Sequence, residues 1–123
     1  MKTVNNEQVI YFDVDDTLVV WGKIKKGQKM VKIIDPYSKD MEHHLRMHLG
    51  HIKVLKDRKA RGAYIVVWSA GGYRWAEAVV KALKLTDYVD MVMSKPIMYV
   101  DDCKAEEILG ERLYLGLDSQ YGT

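Results

Sequence analysis

YFDVDDTLVV, residues 11–20, decides how the rest of the chain is read: an apolar, β-rich run that ends abruptly in three carboxylates, Asp13, Asp15 and Asp16. Val9–Val14 has the short, continuous apolar character of a strand buried on both faces, the habit of a parallel sheet. It is expected to be a central strand. Ligands of open α/β sheets sit at the carboxyl ends of the strands, so the acids after this run stand where chemistry is done.

Working outward, Leu18–Trp21 and Val31–Ile34 are strand-like pieces around a polar stretch with Gly22 and Gly27, which predicts a β-hairpin over about residues 18–34. From Ser38 to Arg61, Met41, Leu45, Leu49, Ile52 and Leu55 recur at helical spacing, with Ser38 or Asp40 as N-cap and Gly62 as the stop. Tyr64–Trp68 (YIVVW) reads as the next buried strand, Gly71-Gly72 as a turn, and Tyr73–Leu85 as a helix burying Trp75, Val79 and Leu83. Tyr88–Met93, Ile97–Val100 and Arg112–Leu115 supply three more short strands, with a helix over Cys103–Leu109. Strand and helix alternate, so the fold class is α/β: a Rossmann-like parallel sheet sandwiched by helices, with a hairpin flap after the first strand.

The 123 residues suit a single domain, residues 1–123, and 48% hydrophobic with 29% charged residues is a soluble, globular balance. Cys103 is the only cysteine, which excludes an internal disulfide and favours a reducing, cytoplasmic setting. No stretch has the roughly 20 apolar residues of a membrane span. Polar Asn5, Asn6, Glu7 and Gln8 occupy the place of a signal peptide's apolar region. The net charge of +2 is unevenly spread: residues 1–22 carry −3, residues 23–62 carry +8 and residues 63–123 carry −3. Lys23, Lys25, Lys26, Lys29 and Lys32 on the flap, with Lys53, Lys56, Arg58, Lys59 and Arg61 beyond, form a basic face suited to nucleic acid or another polyanion. An exposed hairpin guarded by lysines accounts for the same pattern.

Reading the strand ends together gives Asp13, Asp15 and Asp16 after the first, Ser69 after the second, Lys95 after the third, and Asp101 with Asp102 after the fourth. Crowded carboxylates repel one another, and a hard cation such as Mg²⁺ relieves that cost while using their oxygens as ligands. One carboxylate can then attack a phosphoryl group and a second, two residues on, can protonate the leaving oxygen. Thr17 and Ser69, with the backbone amides of Ser69, Ala70, Gly71 and Gly72, are placed to grip phosphoryl oxygens, and Lys95 to offset their charge.

DVDDTL, VVWSAGG, SKP and YVDD resemble, in order, the four motifs of haloacid dehalogenase-like phosphohydrolases, over residues 9 to about 115. The resemblance implies Asp13 as nucleophile and metal ligand, and Asp15 as general acid/base whose backbone carbonyl also meets the metal. It implies Ser69 and Lys95 as phosphate-binding groups, Asp102 as a direct Mg²⁺ ligand and Asp101 as an auxiliary one. Asp16 stands where many members have Gly and receives no role; Glu106 and Glu107 are the candidates for a further acid. No chain is left over for an inserted cap, so the implied enzyme is a capless phosphatase with an open site. Such a site suits a large substrate, or a smaller one whose lid comes from a neighbouring subunit. Two other classes share some of these features: a receiver-like module phosphorylated on Asp, and a phosphate- or nucleic-acid-binding protein that does not hydrolyse. A receiver, however, carries its acceptor Asp where this chain has Ser94. His44, His48 and His51 recur at helical spacing, where a half-buried helix flank fits them better than zinc, and Cys103 is better read as packing than as a nucleophile. Trp21 and Trp68 read as a flap side chain and core packing rather than as base-stacking platforms.

Overall fold

The computed structural model describes residues 8–118; the polar Asn5–Glu7 stretch lies outside them. Two three-stranded sheets share one hydrophobic cluster. The first is parallel, in the order β1 (Val9–Asp13), β5 (Tyr64–Ser69), β6 (Met91–Ser94). The second is antiparallel, with β4 (Glu42–Met47) between β2 (Val19–Val20) and β3 (Met30–Ile34). Helices α1 (Leu49–Ala60), α2 (Tyr73–Ala82) and α3 (Ala105–Ile108) complete the described elements, with a 3-10 turn over Thr86–Tyr88.

Alternation along β1 and β5 sends Phe12, Ile65 and Val67 into the cluster, where Ile52 and Leu55 of α1 and Trp75, Val79 and Val80 of α2 meet them. Two successive parallel crossovers that step the same way across the sheet put both helices on one face when both are right-handed. The opposite face is open: Val9, Tyr11 and Met91 are exposed, and the Tyr11 ring lies against Trp68 at 4.5 Å. Among the described residues the sheet is therefore not sandwiched, and β1, with Val9 and Tyr11 exposed and β5 as its one partner strand, is neither buried on both faces nor central.

The reason lies in connection length. A strand over Ile97–Val100 would have to cross to the far side of β1, and a parallel crossover needs about a dozen residues. Only Lys95 and Pro96 separate β6 from Ile97, and Ile97 and Val100 are solvent-exposed outside any strand. Arg112–Leu115 is likewise no strand; of its backbone, the Leu115 amide donates to the His51 ring.

The expected 18–34 hairpin is a three-stranded sheet, since β2 and β3 each pair with β4 and not with each other. The long helix expected from Ser38 begins only at Leu49. A spacing of four, as in Met41, Leu45 and Leu49, satisfies a period of two as well as one of 3.6, and β4 takes the first half of that pattern. The N-cap is accordingly His48, not Ser38 or Asp40. Gly62, at φ +96°, ends α1 as expected, whereas α2 stops short of Leu85 because Lys84 turns left-handed at φ +60°. The last two elements are shorter than expected, β6 beginning at Met91 and α3 covering four residues.

Candidate active site

Three parallel strands ending at one level gather the predicted residues. Asp13 lies in register with Trp68, and Ser69 with Ser94, so Asp13, Ser69 and Lys95 reach the same edge. Lys95 Nζ sits 2.9 Å from Asp13 Oδ1, with about a third of each side chain exposed. The Thr17 hydroxyl donates to Asp13 Oδ2 at 2.8 Å. The Asp13 carboxylate is thus held by a cation on one oxygen and a hydroxyl on the other, while its neighbourhood stays open to solvent. Lys95 also rests 5.7 Å from the centre of the Trp68 ring, and its amide donates to the Ser69 carbonyl.

Asp15 turns toward β5 and α2. The indole N–H groups of Trp21 and Trp75 both donate to its Oδ1, at 2.8 and 3.0 Å, and the buried Ser69 hydroxyl reaches Oδ2 at 3.4 Å. Neither indole was visible as a site residue in sequence. Trp75 carried the better signal: it stands in the first turn of a helix that follows a strand end, and helical side chains lean toward the N-terminus, here over Ser69.

The loop between these acids is built by hydrogen bonds. Asp16 adopts φ +61°, a left-handed conformation that Gly takes freely and Asp tolerates. Its carbonyl accepts from the Tyr114 hydroxyl and its carboxylate from the Trp21 amide. Thr17 is anchored from behind, its carbonyl accepting from Nδ1 of His51.

The amides expected to grip phosphate are partly engaged by the turn itself. Gly71 N donates to Ser69 Oγ and Gly72 N to the Ser69 carbonyl, while Tyr73 N donates to Ser94 Oγ. Ala70 is exposed. Ser69 therefore orders the turn as well as reaching Asp15.

Asp101 and Asp102 do not close into one side-chain group with Asp13 and Asp15. With Cys103 they form the one described group of three acidic, cysteine or histidine ligand atoms within 4.8 Å of one another, both acids exposed and Asp101 capping the Cys103 amide at 2.8 Å. Asp13 and Asp15 do not join them in such a group. As placed, the four acids do not form one cation-sized cage, and the cause is the missing strand at Ile97–Val100 that was to carry Asp101 and Asp102 to the sheet. Glu107 bonds its own helix cap at Lys104.

The histidines are also redistributed. His44 is exposed on β4, whereas His48 and His51 are fully buried, not half-buried. All four ring nitrogens of this pair have protein partners: His48 Nδ1 accepts from His51 N and its Nε2 donates to the Gly116 carbonyl. His51 Nε2 accepts from Leu115 N and its Nδ1 donates to Thr17. No lone pair is left over for zinc. Burial lowers the His51 pKa, the Thr17 carbonyl working against that shift and His48 adding to it.

Beside Asp15 opens a cleft of about 410 Å³ lined by Trp21, Asp35, Tyr37, His43, Gly71 and Trp75. His43 Nε2 donates to Asp35 at 2.9 Å, and that bond, with the Tyr37 amide, holds the Asp35 carboxyl below its ordinary value. On the basic face, Lys23, Lys25, Lys26 and Lys29 are exposed between β2 and β3, but Lys32, Lys53 and Lys59 face Glu42, Asp57 and Asp90. The basic character of α1 is thus partly neutralised within the fold.

No helix among the described residues is long and apolar enough to cross a membrane. Comparison of the chain with protein-family models, curated proteins and solved structures found no match.

Proposed function

We propose that the chain is a phosphomonoesterase of the haloacid dehalogenase-like type that works through an aspartyl-phosphate on Asp13. The observation that carries this reading is the Asp13 carboxylate held between Lys95 and Thr17, with Asp15 two residues away in reach of Ser69. An Asp13 oxygen attacks phosphorus, the bond to the leaving oxygen breaks, and Asp15 in its acid form gives that oxygen a proton. Water, losing a proton to Asp15, then attacks the phosphoryl group, releasing inorganic phosphate and restoring Asp13. Lys95 offsets the charge on the transferring group.

Mg²⁺ belongs to the proposal as the cation that Asp13, Asp15, Asp101 and Asp102 would share. Because the four side chains do not form one closed group, the steps above use only the chain's own groups, and chelation is an arm of the test. The receiver alternative is disfavoured by Ser94 at the end of β6, whose hydroxyl accepts the Tyr73 amide.

The test is phosphate release from a panel of small phosphomonoesters, nucleotides and phosphorylated oligonucleotides, with Mg²⁺ or with chelator, by wild type and Asp13→Asn. Turnover that needs Asp13 and falls at least about a thousandfold in the variant is expected, with melting unchanged. A folded Asp13→Asn protein that turns over undiminished overturns the assignment.

A further inference from the structure

The cleft beside Asp15 carries a chemistry that phosphoryl transfer does not use. Trp21 and Trp75 lie with ring centres 6.0 Å apart, and His43 sits edge-on to both, at 5.2 and 5.5 Å. Trp75 is buried, but Trp21 is 45% and Tyr37 57% exposed. Both exposed residues are nevertheless tethered. Trp21 is held through its indole on Asp15, and Tyr37 through its amide on Asp35 and its hydroxyl packed against the Gly72 backbone. Rings tethered with a face open to solvent lose little freedom when a flat group stacks on them.

Charge narrows the occupant. The phosphoryl end of the site holds Lys95, whereas the cleft holds Asp15 and Asp35, so an anion is drawn to the first and repelled by the second. What the carboxylates favour in the cleft is a neutral or cationic group bearing N–H donors for Asp35, which His43 keeps ionised, and what the open rings favour is a planar one. An aliphatic alcohol would leave the rings uncovered, and a phenol esterified to phosphate has no donor for the carboxylate.

We propose that this cleft is the leaving-group subsite and that it takes a nucleobase, stacked on Trp21 and Tyr37 with an amino group toward Asp35. The substrate is then a nucleoside monophosphate or the phosphorylated terminal nucleotide of a strand. The inference rests on the phosphomonoesterase reading for its catalytic sense, but the binding it invokes is measurable without turnover.

Adenosine and ribose 5-phosphate are titrated separately against the intrinsic tryptophan fluorescence of the full chain. Saturable quenching by adenosine, weakened at least about fivefold in Tyr37→Ala, is expected. Asp35→Asn, at a half-buried position where an amide oxygen can still accept from the Tyr37 amide, should narrow the preference for adenosine over purine riboside, which lacks the amino group. No saturable quenching, or equal quenching in all three proteins, overturns the subsite.

The kinetic arm separates the two claims. A kcat/KM for adenosine 5′-monophosphate about tenfold above that for ribose 5-phosphate, collapsing in Tyr37→Ala, supports the subsite, and equal values overturn it while leaving the phosphatase standing. Absence of hydrolysis of every ester sinks the phosphatase reading, and the adenosine titration still decides the subsite. A 5′-phosphorylated oligo(dA) run beside the mononucleotide distinguishes the sources. A higher, salt-sensitive kcat/KM for the strand assigns the exposed lysines of the β2–β3 loop to its backbone, and the reverse order assigns the free nucleotide.

Discussion

His48 and His51 lie stacked, ring centres 3.9 Å apart, and Nδ1 of the first accepts the backbone amide of the second. The pairing fixes both protonation states. An imidazole nitrogen that accepts from a backbone amide must be bare, so each ring is neutral, with its single proton on the nitrogen that donates to a carbonyl. The pair ties α1 to the catalytic loop through Thr17 and to the terminal segment through Leu115 and Gly116.

Acid should therefore loosen the fold before carboxylates are titrated. His51 has a folded pKa below its unfolded value of 6.5, so its contribution is complete above 6.5. As pH falls below 6.5 the unfolded chain takes up the proton first, and stability declines until the folded value is passed, with a slope bounded at about 1.4 kcal/mol per pH unit. Urea midpoints of wild type should fall between pH 7.5 and 5, and His51→Gln, though weaker at pH 7.5, should show a flatter dependence. A variant that keeps the wild-type slope would assign the effect to another group.

Lys95→Met should separate catalysis from stability. Its partner Asp13 is about one-third exposed, and ion pairs of that kind contribute no more than about 1 kcal/mol to folding. The same lysine faces the oxygen proposed to attack phosphorus, so phosphate release should fall about a hundredfold. Melting curves and initial rates on one preparation test both halves; a large loss of stability with little loss of rate would make Lys95 structural.

The site was legible where chemistry and strand ends coincide. Asp13, Thr17, Ser69 and Lys95 each follow an apolar run long enough to identify, and the parallel register then brings them together. What sequence concealed was set by tertiary geometry. The spacing of Met41, Leu45 and Leu49 admits strand and helix alike, so β4 was hidden inside an apparent helix. The IMYV run has strand composition but follows β6 too closely to cross the sheet, so Asp101 and Asp102 do not stand at the end of a strand as expected. Trp21 reads as a flap side chain and Trp75 as helix packing, because nothing local announces that two indoles will share one carboxylate oxygen.

Trp75→Phe tests that shared oxygen. Phenylalanine keeps most of the buried ring but removes the N–H on Asp15 Oδ1, leaving Trp21 as the remaining indole donor. A stability loss of about 1–2 kcal/mol is expected from the lost bond and smaller ring, with a drop of about tenfold in kcat as the acid loses part of its orientation. Trp21→Phe should cost similarly, and the double variant more than the two combined, because Asp15 then has no indole to hold it. Strict additivity in kcat would mean that the indoles do not act on a common group.

Gly72→Ala probes the junction of cleft and catalytic turn. Gly72 sits at φ +103°, where an L side chain is strained, and a Cβ there would meet the Tyr37 hydroxyl. The backbone term should cost about 1–2 kcal/mol in urea denaturation, and the displaced tyrosine should add a smaller amount, since it lies at the end of a movable side chain. Tyr37→Ala in the same background removes the second contribution but not the first, so a double-mutant cycle should give a nonzero coupling with most of the loss remaining. Because Tyr37 also walls the cleft, Gly72→Ala should erode the preference for adenosine 5′-monophosphate over ribose 5-phosphate. Zero coupling together with an unchanged preference would mean that Tyr37 does not rest on Gly72 in solution.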